Sequence, residues 1–183
     1  MKIGIIVGSL RNESVSKKLA DNVKGLFPQG HTLEFVEIGN LPLYNEDYDN
    51  GALALPEAYT KFRNQMKTVD AIIFVTPEYN RSVPAALKNA LDVGSRPYGS
   101  SIWGGKPALI ISQSPSNLSG FGANHHLRQS LTFLDVHTLQ QPEVYIANSF
   151  GLFDEKGKIN NEGTVKFLQS VVDAFVAFAK RFK

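Results

Sequence analysis

Two short stretches of the chain, Ile3-Gly4-Ile5-Ile6-Val7 and Ala71-Ile72-Ile73-Phe74-Val75, are apolar without interruption. A strand with one face in water alternates apolar and polar residues, whereas a strand covered on both faces has no reason to. Each run is also too short for a buried helix, and each is followed by a longer stretch with apolar residues at helical spacing. That alternation is the pattern of strand–helix–strand units on a parallel sheet, with helices on both faces.

Extended along the chain, the same reading predicts strands at 3–7, 33–38, 71–75, 107–112 and 136–139. It predicts helices at 14–24, 56–67, 83–93, 123–134 and 162–182. Pro56 sits early enough in its helix that its missing N–H costs nothing. The last helix carries Val165, Leu168, Val172, Phe175, Ala179 and Phe182 on one face. The connection from Gly39 to Leu55 lacks periodicity and reads as a surface excursion rather than a linker. The whole is expected to be one three-layer, doubly wound α/β domain over residues 1–183. In such domains ligands bind at the carboxyl ends of the strands, near the switch in strand order. Three loops leave those ends, at 8–16, 76–82 and 112–122, and the chemistry is expected there.

Composition narrows the classes. With 183 residues, 43% of them hydrophobic and 20% charged, the chain can bury a full core. A net charge of +2, with no run of more than two Lys or Arg, argues against a nucleic-acid surface. There is no cysteine, so disulfides, thiol nucleophiles and thiolate metal sites are excluded. The N-terminal apolar run is broken at Gly8-Ser9, too early for a signal peptide or a membrane span, which predicts a cytoplasmic address.

The first loop reads Gly8-Ser9-Leu10-Arg11-Asn12-Glu13-Ser14-Val15-Ser16 and opens a helix. Three hydroxyls, a guanidinium and the amide-rich start of a helix converge there, a donor set that suits a phosphate monoester. Helix capping by Ser14 with a solvated Arg11 explains the same residues about equally well on this loop alone. Neither Gly-x-Gly-x-x-Gly nor Gly-x-x-x-x-Gly-Lys-Ser/Thr occurs here, which disfavours a dinucleotide pyrophosphate and an NTPase. The second loop, Thr76-Pro77-Glu78-Tyr79-Asn80-Arg81-Ser82, offers an aromatic wall and an amide on a proline-stiffened turn, suited to a planar heterocycle. His125-His126 has no Cys, His-x-x-x-His or neighbouring Glu to support a metal site. No Gly-x-Ser-x-Gly elbow supports a hydrolase.

Taken together, Gly8-Ser9-Leu10-Arg11-x-x-Ser14-x-Ser16, Thr76-Pro77-Glu78-Tyr79-Asn80 and Val83-Pro84-x-x-Leu87-Lys88-Asn89-Ala90-Leu91-Asp92 resemble the NADPH-dependent FMN reductase family. The similarity continues through Gly105-Lys106-Pro107, His126-Leu127-Arg128-Gln129 and Gln141-Pro142-Glu143. It implies a flavodoxin-like domain with a five-stranded parallel sheet in the order 2-1-3-4-5. It further implies an FMN-dependent NAD(P)H oxidoreductase that passes electrons by a ping-pong scheme from NADPH or NADH to quinones, azo compounds, metal ions or free flavin. The alternative is a flavodoxin-type electron carrier. Carried over position by position, Ser9, Leu10, Arg11, Ser14, Val15 and Ser16 are implied to hold the FMN phosphate. Pro77, Glu78, Tyr79 and Asn80 form the flavin-ring loop, and Ser114 with Gly120 lies near the ring's polar edge. Amides of the third loop are expected to face that edge. No side chain is assigned a catalytic role and no metal is expected. The resemblance also implies a homodimer or homotetramer, with Arg81 reaching toward an acid such as Glu143.

Overall fold

A computed structural model describes residues 1–182; Lys183, the last residue of the expected domain, lies outside the described residues. The apolar runs are strands: β1 (Lys2–Val7), β3 (Ala71–Pro77) and β4 (Pro107–Gln113) form the middle of the sheet. β2 (Thr32–Phe35) pairs with the outer side of β1, and all pairings are parallel. The order is β2-β1-β3-β4 and then β5 (His137–Thr138), with a further strand on β4, which is the flavodoxin-like arrangement. Val7 aligns with Val75 and Thr76 with Ser112, so the three central strands end together and release their loops side by side.

Alternate residues of each central strand feed two separate cores. Ile3, Ile5, Ile73, Val75, Leu109 and Ile111 pack with α1 (Val15–Gly25) and α5 (Glu162–Ala179). Ile6, Ile72, Phe74 and Ile110 pack with α2 (Glu57–Lys67), α3 (Ala85–Gly94) and α4 (Phe121–Phe133). On α5 the buried stripe is Leu168, Val171, Val172, Phe175, Val176 and Ala179, while Val165 is only half-buried. The α-helix stops at Ala179, and Lys180–Phe182 tightens into a 3-10 turn that leaves Phe182 exposed.

The expected five-stranded sheet has six strands. Where residues 136–139 suggested one fifth strand, β5 is only His137–Thr138 and pairs with the start of β4 at Pro107 and Ala108. The chain then leaves the sheet and returns as β6 (Val144–Ile146) beside Ile111–Gln113 at the other end of β4. A three-residue strand carries too few positions for a period to show, which is why its sequence was silent. The long connection is held down rather than loose. Asn89 of α3 accepts from the Tyr44 amide and donates to the carbonyls of Leu41 and Pro42, and Asp49 pairs with Arg63 at 3.0 Å.

Candidate functional site

At the carboxyl ends of β1, β3 and β4 the three loops enclose a cleft of about 120 Å³ lined by Ser9, Arg11, Val15, Pro77, Glu78, Tyr79, Gln113, Ser114, Pro115 and Phe150. A more apolar depression of about 410 Å³, lined by Gly8, Leu10, Arg11, Tyr79, Pro84, Ala85 and Ala86, shares Arg11 and Tyr79 with it. The two belong to one concave surface, on the scale of a small-molecule site. Gly8 allows the first two loops to approach, since a Cβ there would lie 2.8 Å from Thr76 Oγ1.

The first loop ends in a capped helix. Ser14 is the N-cap of α1, and its Oγ accepts from the Lys17 amide at 3.1 Å. Both sequence readings of Ser14 therefore meet in one atom, because a hydroxyl that accepts from an amide keeps its own proton to donate. The amides of Val15 and Ser16, in the first turn, have no intrahelical acceptor. Arg11 is exposed and makes no hydrogen bond or ion pair among the described residues. Lys17, by contrast, is committed to Asp21 at 2.7 Å and lies 3.9 Å over the Phe35 ring. A free guanidinium, a half-buried Ser9 and unfilled helix amides on one side of a cleft match the donor set of a phosphate monoester. Ser16 is fully buried, and its Oγ accepts from Gln113 Nε2 at 2.9 Å instead of lining the cleft.

The second loop is a tight hairpin. The amides and carbonyls of Tyr79 and Ser82 exchange bonds of 3.0 and 2.9 Å across Asn80 and Arg81, both at positive φ (50° and 64°). Positive φ at both central positions is the primed turn that joins strands closely, and Asn suits it far better than Arg. Tyr79 is 47% exposed and lines both the cleft and the depression. Asn80 instead borders a neighbouring hollow with Lys88, His126 and Gln129. Glu78 lines the cleft, but its carboxylate is turned toward α4. Oε2 accepts from the Ala123 amide at 3.1 Å, and Oε1 pairs with Arg81 at 3.1 Å. That bond within the protomer engages the guanidinium expected to seek Glu143. Glu143 itself neighbours Tyr145, whose hydroxyl is pushed up to about 12, first by burial and then by this carboxylate.

The third loop corrects two expectations. Its amides were expected to face the ligand, but those of Ser114, Ser116, Leu118 and Ser119 bond within the protein, to Ile146 O, Ser114 Oγ, Ser116 Oγ and Ser116 O. Serine-rich turns satisfy their own backbone in this way. Gly120 is buried and does not line the cleft: it lies at φ +74°, and a Cβ would sit 3.0 Å from Gln113 O and Ser112 Cβ. It lets the loop pass close over β4. Ser114 does line the cleft, and β6 steadies it, because Ser114 donates to Ile146 O and accepts from the Ser149 amide at 3.1 Å each. Gln113, Pro115 and Phe150 were not foreseen. Phe150 follows the unrecognised β6, and nothing local marks it as a wall of this cleft. The two adjacent histidines diverge, His125 to Tyr145 Oη and His126 to Ser82 Oγ.

Comparisons with known proteins agree on one family. A family model described as NADPH-dependent FMN reductase matches residues 1–151. A quinone reductase of Pseudomonas putida is 53% identical over 178 residues, covering 97% of this chain and 94% of the relative. A 2-hydroxy-1,4-benzoquinone reductase of a Burkholderia species is 43% identical over 180 residues, covering 98% and 97%. Among solved structures, a flavoenzyme NAD(P)H:(acceptor) oxidoreductase of Paracoccus denitrificans superposes with a TM-score of 0.91 at 36% identity, covering 99% and 98%.

Proposed function

The chain belongs to the NADPH-dependent FMN reductase family, and from that premise we propose how it works as an FMN-dependent NAD(P)H oxidoreductase with quinones among its acceptors. The observation that carries the reading is the meeting of three loops in one cleft, with an unpaired Arg11 at one side and Tyr79 at the other. When bound, FMN supplies the chemistry: it accepts a hydride from the nicotinamide and returns electrons to the acceptor. Arg11, Ser9, the Ser14 hydroxyl and the first amides of α1 bind and neutralise the phosphate. Pro77 and Tyr79 wall the ring, and the bonded turn behind them keeps that wall in one position. Ser114, anchored by β6, offers a polar group at the cleft's far side. None of these groups needs to exchange a proton, so no side chain is assigned a catalytic role. The relatives named above carry reductase names, and nothing among them supports a pure electron carrier.

We extend the proposal to the assembly and the address. Leu10, Tyr79, Phe121 and Phe150, all on or beside the three cleft loops, are each about half exposed or more, and a second subunit would cover them. A homodimer or homotetramer is the expected form. No helix is long and apolar enough to cross a membrane among the described residues, and a cytoplasmic location goes with the nicotinamide reductant.

Purified protein should be yellow, release FMN rather than FAD on denaturation, and oxidise NADPH or NADH with a benzoquinone. Reductant and acceptor use one cleft in turn, so initial-rate lines should run parallel as the second substrate is varied. Lines that intersect would favour a ternary complex, and extracted FAD would remove the monophosphate reading.

A further inference from the structure

One buried amide sits where all three loops converge. Gln113 is the last residue of β4 and is 5% exposed. Its backbone is in register with Pro77 of β3 on one side and Ile146 of β6 on the other. Its side chain continues the row of Leu109 and Ile111, which faces α1 and α5. An apolar residue would extend that core, yet a polar one stands there between two fully buried serines. Nε2 donates to Ser16 Oγ at 2.9 Å, and Oε1 accepts from Ser149 Oγ at 2.6 Å. Polar groups so buried are costly unless each is satisfied, and here each is.

We propose that Gln113 is a positioning residue for the FMN phosphate, acting through Ser16; this rests on the phosphate reading above. Held by the amide N–H, the buried Ser16 Oγ pins the first turn of α1, whose unfilled Val15 and Ser16 amides are among the phosphate donors. The Ser149 hydroxyl holds the amide's other end and so links the post-β6 turn, which also carries Phe150, to the phosphate loop. Without the amide, the Ser16 hydroxyl is free to turn to a carbonyl of the preceding turn, as helical serines do.

The test is flavin titration of the apoprotein with FMN and with riboflavin, which lacks the phosphate, followed by flavin fluorescence. Gln113→Leu should weaken FMN by about tenfold, the scale of one hydrogen bond to a charged group, and leave riboflavin within about twofold. In a Ser16→Ala background the same substitution should add less than about twofold for FMN, because the amide then has nothing to act through. Gln113→Glu, which can still accept from Ser16 and Ser149 but sets a carboxylate beside the phosphate donors, should weaken FMN more than the leucine does. If the leucine variant does not fold, Gln113→Met keeps the length of the side chain and carries the same cycle. Equal losses for FMN and riboflavin, or a full loss that persists in the Ser16→Ala background, would overturn the role of Gln113. Wild-type protein that fails to take up FMN would instead remove the phosphate reading on which it rests.

Discussion

Arg11 and Arg81 are both exposed arginines in cleft loops, yet their surroundings ask different things of them. Arg11 makes no hydrogen bond or ion pair among the described residues, though its charge acts on Glu13, and it lines both parts of the concave surface. Arg11→Ala should weaken FMN by roughly ten- to hundredfold, 1.5–3 kcal/mol for a charge-assisted bond, and leave riboflavin unaffected. Turnover at saturating FMN should survive, since the contact contributes binding rather than transition-state stabilisation. Titration of the apo variant measures it, and wild-type affinity would take Arg11 out of the site. Arg81 occupies φ 64° and pairs with Glu78 while 71% of its side chain is exposed. With the guanidinium in water and the Glu78 side chain only 9% exposed, the pair contributes about 1 kcal/mol, comparable with the cost of a left-handed non-glycine residue. Arg81→Gly should therefore be close to neutral in stability, whereas Arg81→Val should lose about 1–2 kcal/mol, as urea unfolding would record.

Between elements, the join that matters most runs from the second cleft loop to α4. That helix starts at Gly120 with no side-chain cap of its own, and Glu78 supplies one from across the sheet. Gly122 makes room for the join, because a Cβ there would sit 2.7 Å from Arg81 O and 2.9 Å from Glu78 Oε2. A carboxylate on helix-terminal amides both caps the helix and meets its positive end. Glu78→Ala should cost about 1–2 kcal/mol, a fall in Tm of roughly 2–4 °C for each kcal/mol in a chain of this size. Glu78→Gln, which keeps an acceptor, should recover part of that loss. A Glu78→Ala variant as stable as wild type would show that the carboxylate does not cap α4. Sequence alone offers Glu78 only as a member of Pro-Glu-Tyr-Asn, since its partner amide is 45 residues away.

For the whole molecule, the expectation concerns what surrounds the open side of the cleft. Apolar side chains on and beside the three loops stand in water there, Phe150 at 67% exposed and Leu10 at 57%. Light scattering at micromolar concentration should give at least twice the 20.1 kDa of one chain. A monomer that holds FMN and turns over fully would refute the assembly.

Much of this protein is determined within short windows of its sequence. The uninterrupted runs of β1 and β3 require cover on both faces, and the periodic helices supply it, so layers and strand polarity follow from local pattern. The donor set of the first loop was legible for the same reason: a strand end, a run of donors and a helix start lie within nine residues. What the tertiary structure decided are the contacts that no window contains. Gln113 meets Ser16 at a separation of 97 residues and Ser149 at 36. Gly120 turned out to be a packing glycine, and Ser16 a buried partner rather than a wall of the cleft. β6, three residues long, exists because the end of β4 has unpaired backbone groups that burial would leave unsatisfied. Local chemistry chooses the elements and arms the first loop, but a cleft is made by residues brought together from distant parts of the chain, and their proximity has no signature until the sheet has formed.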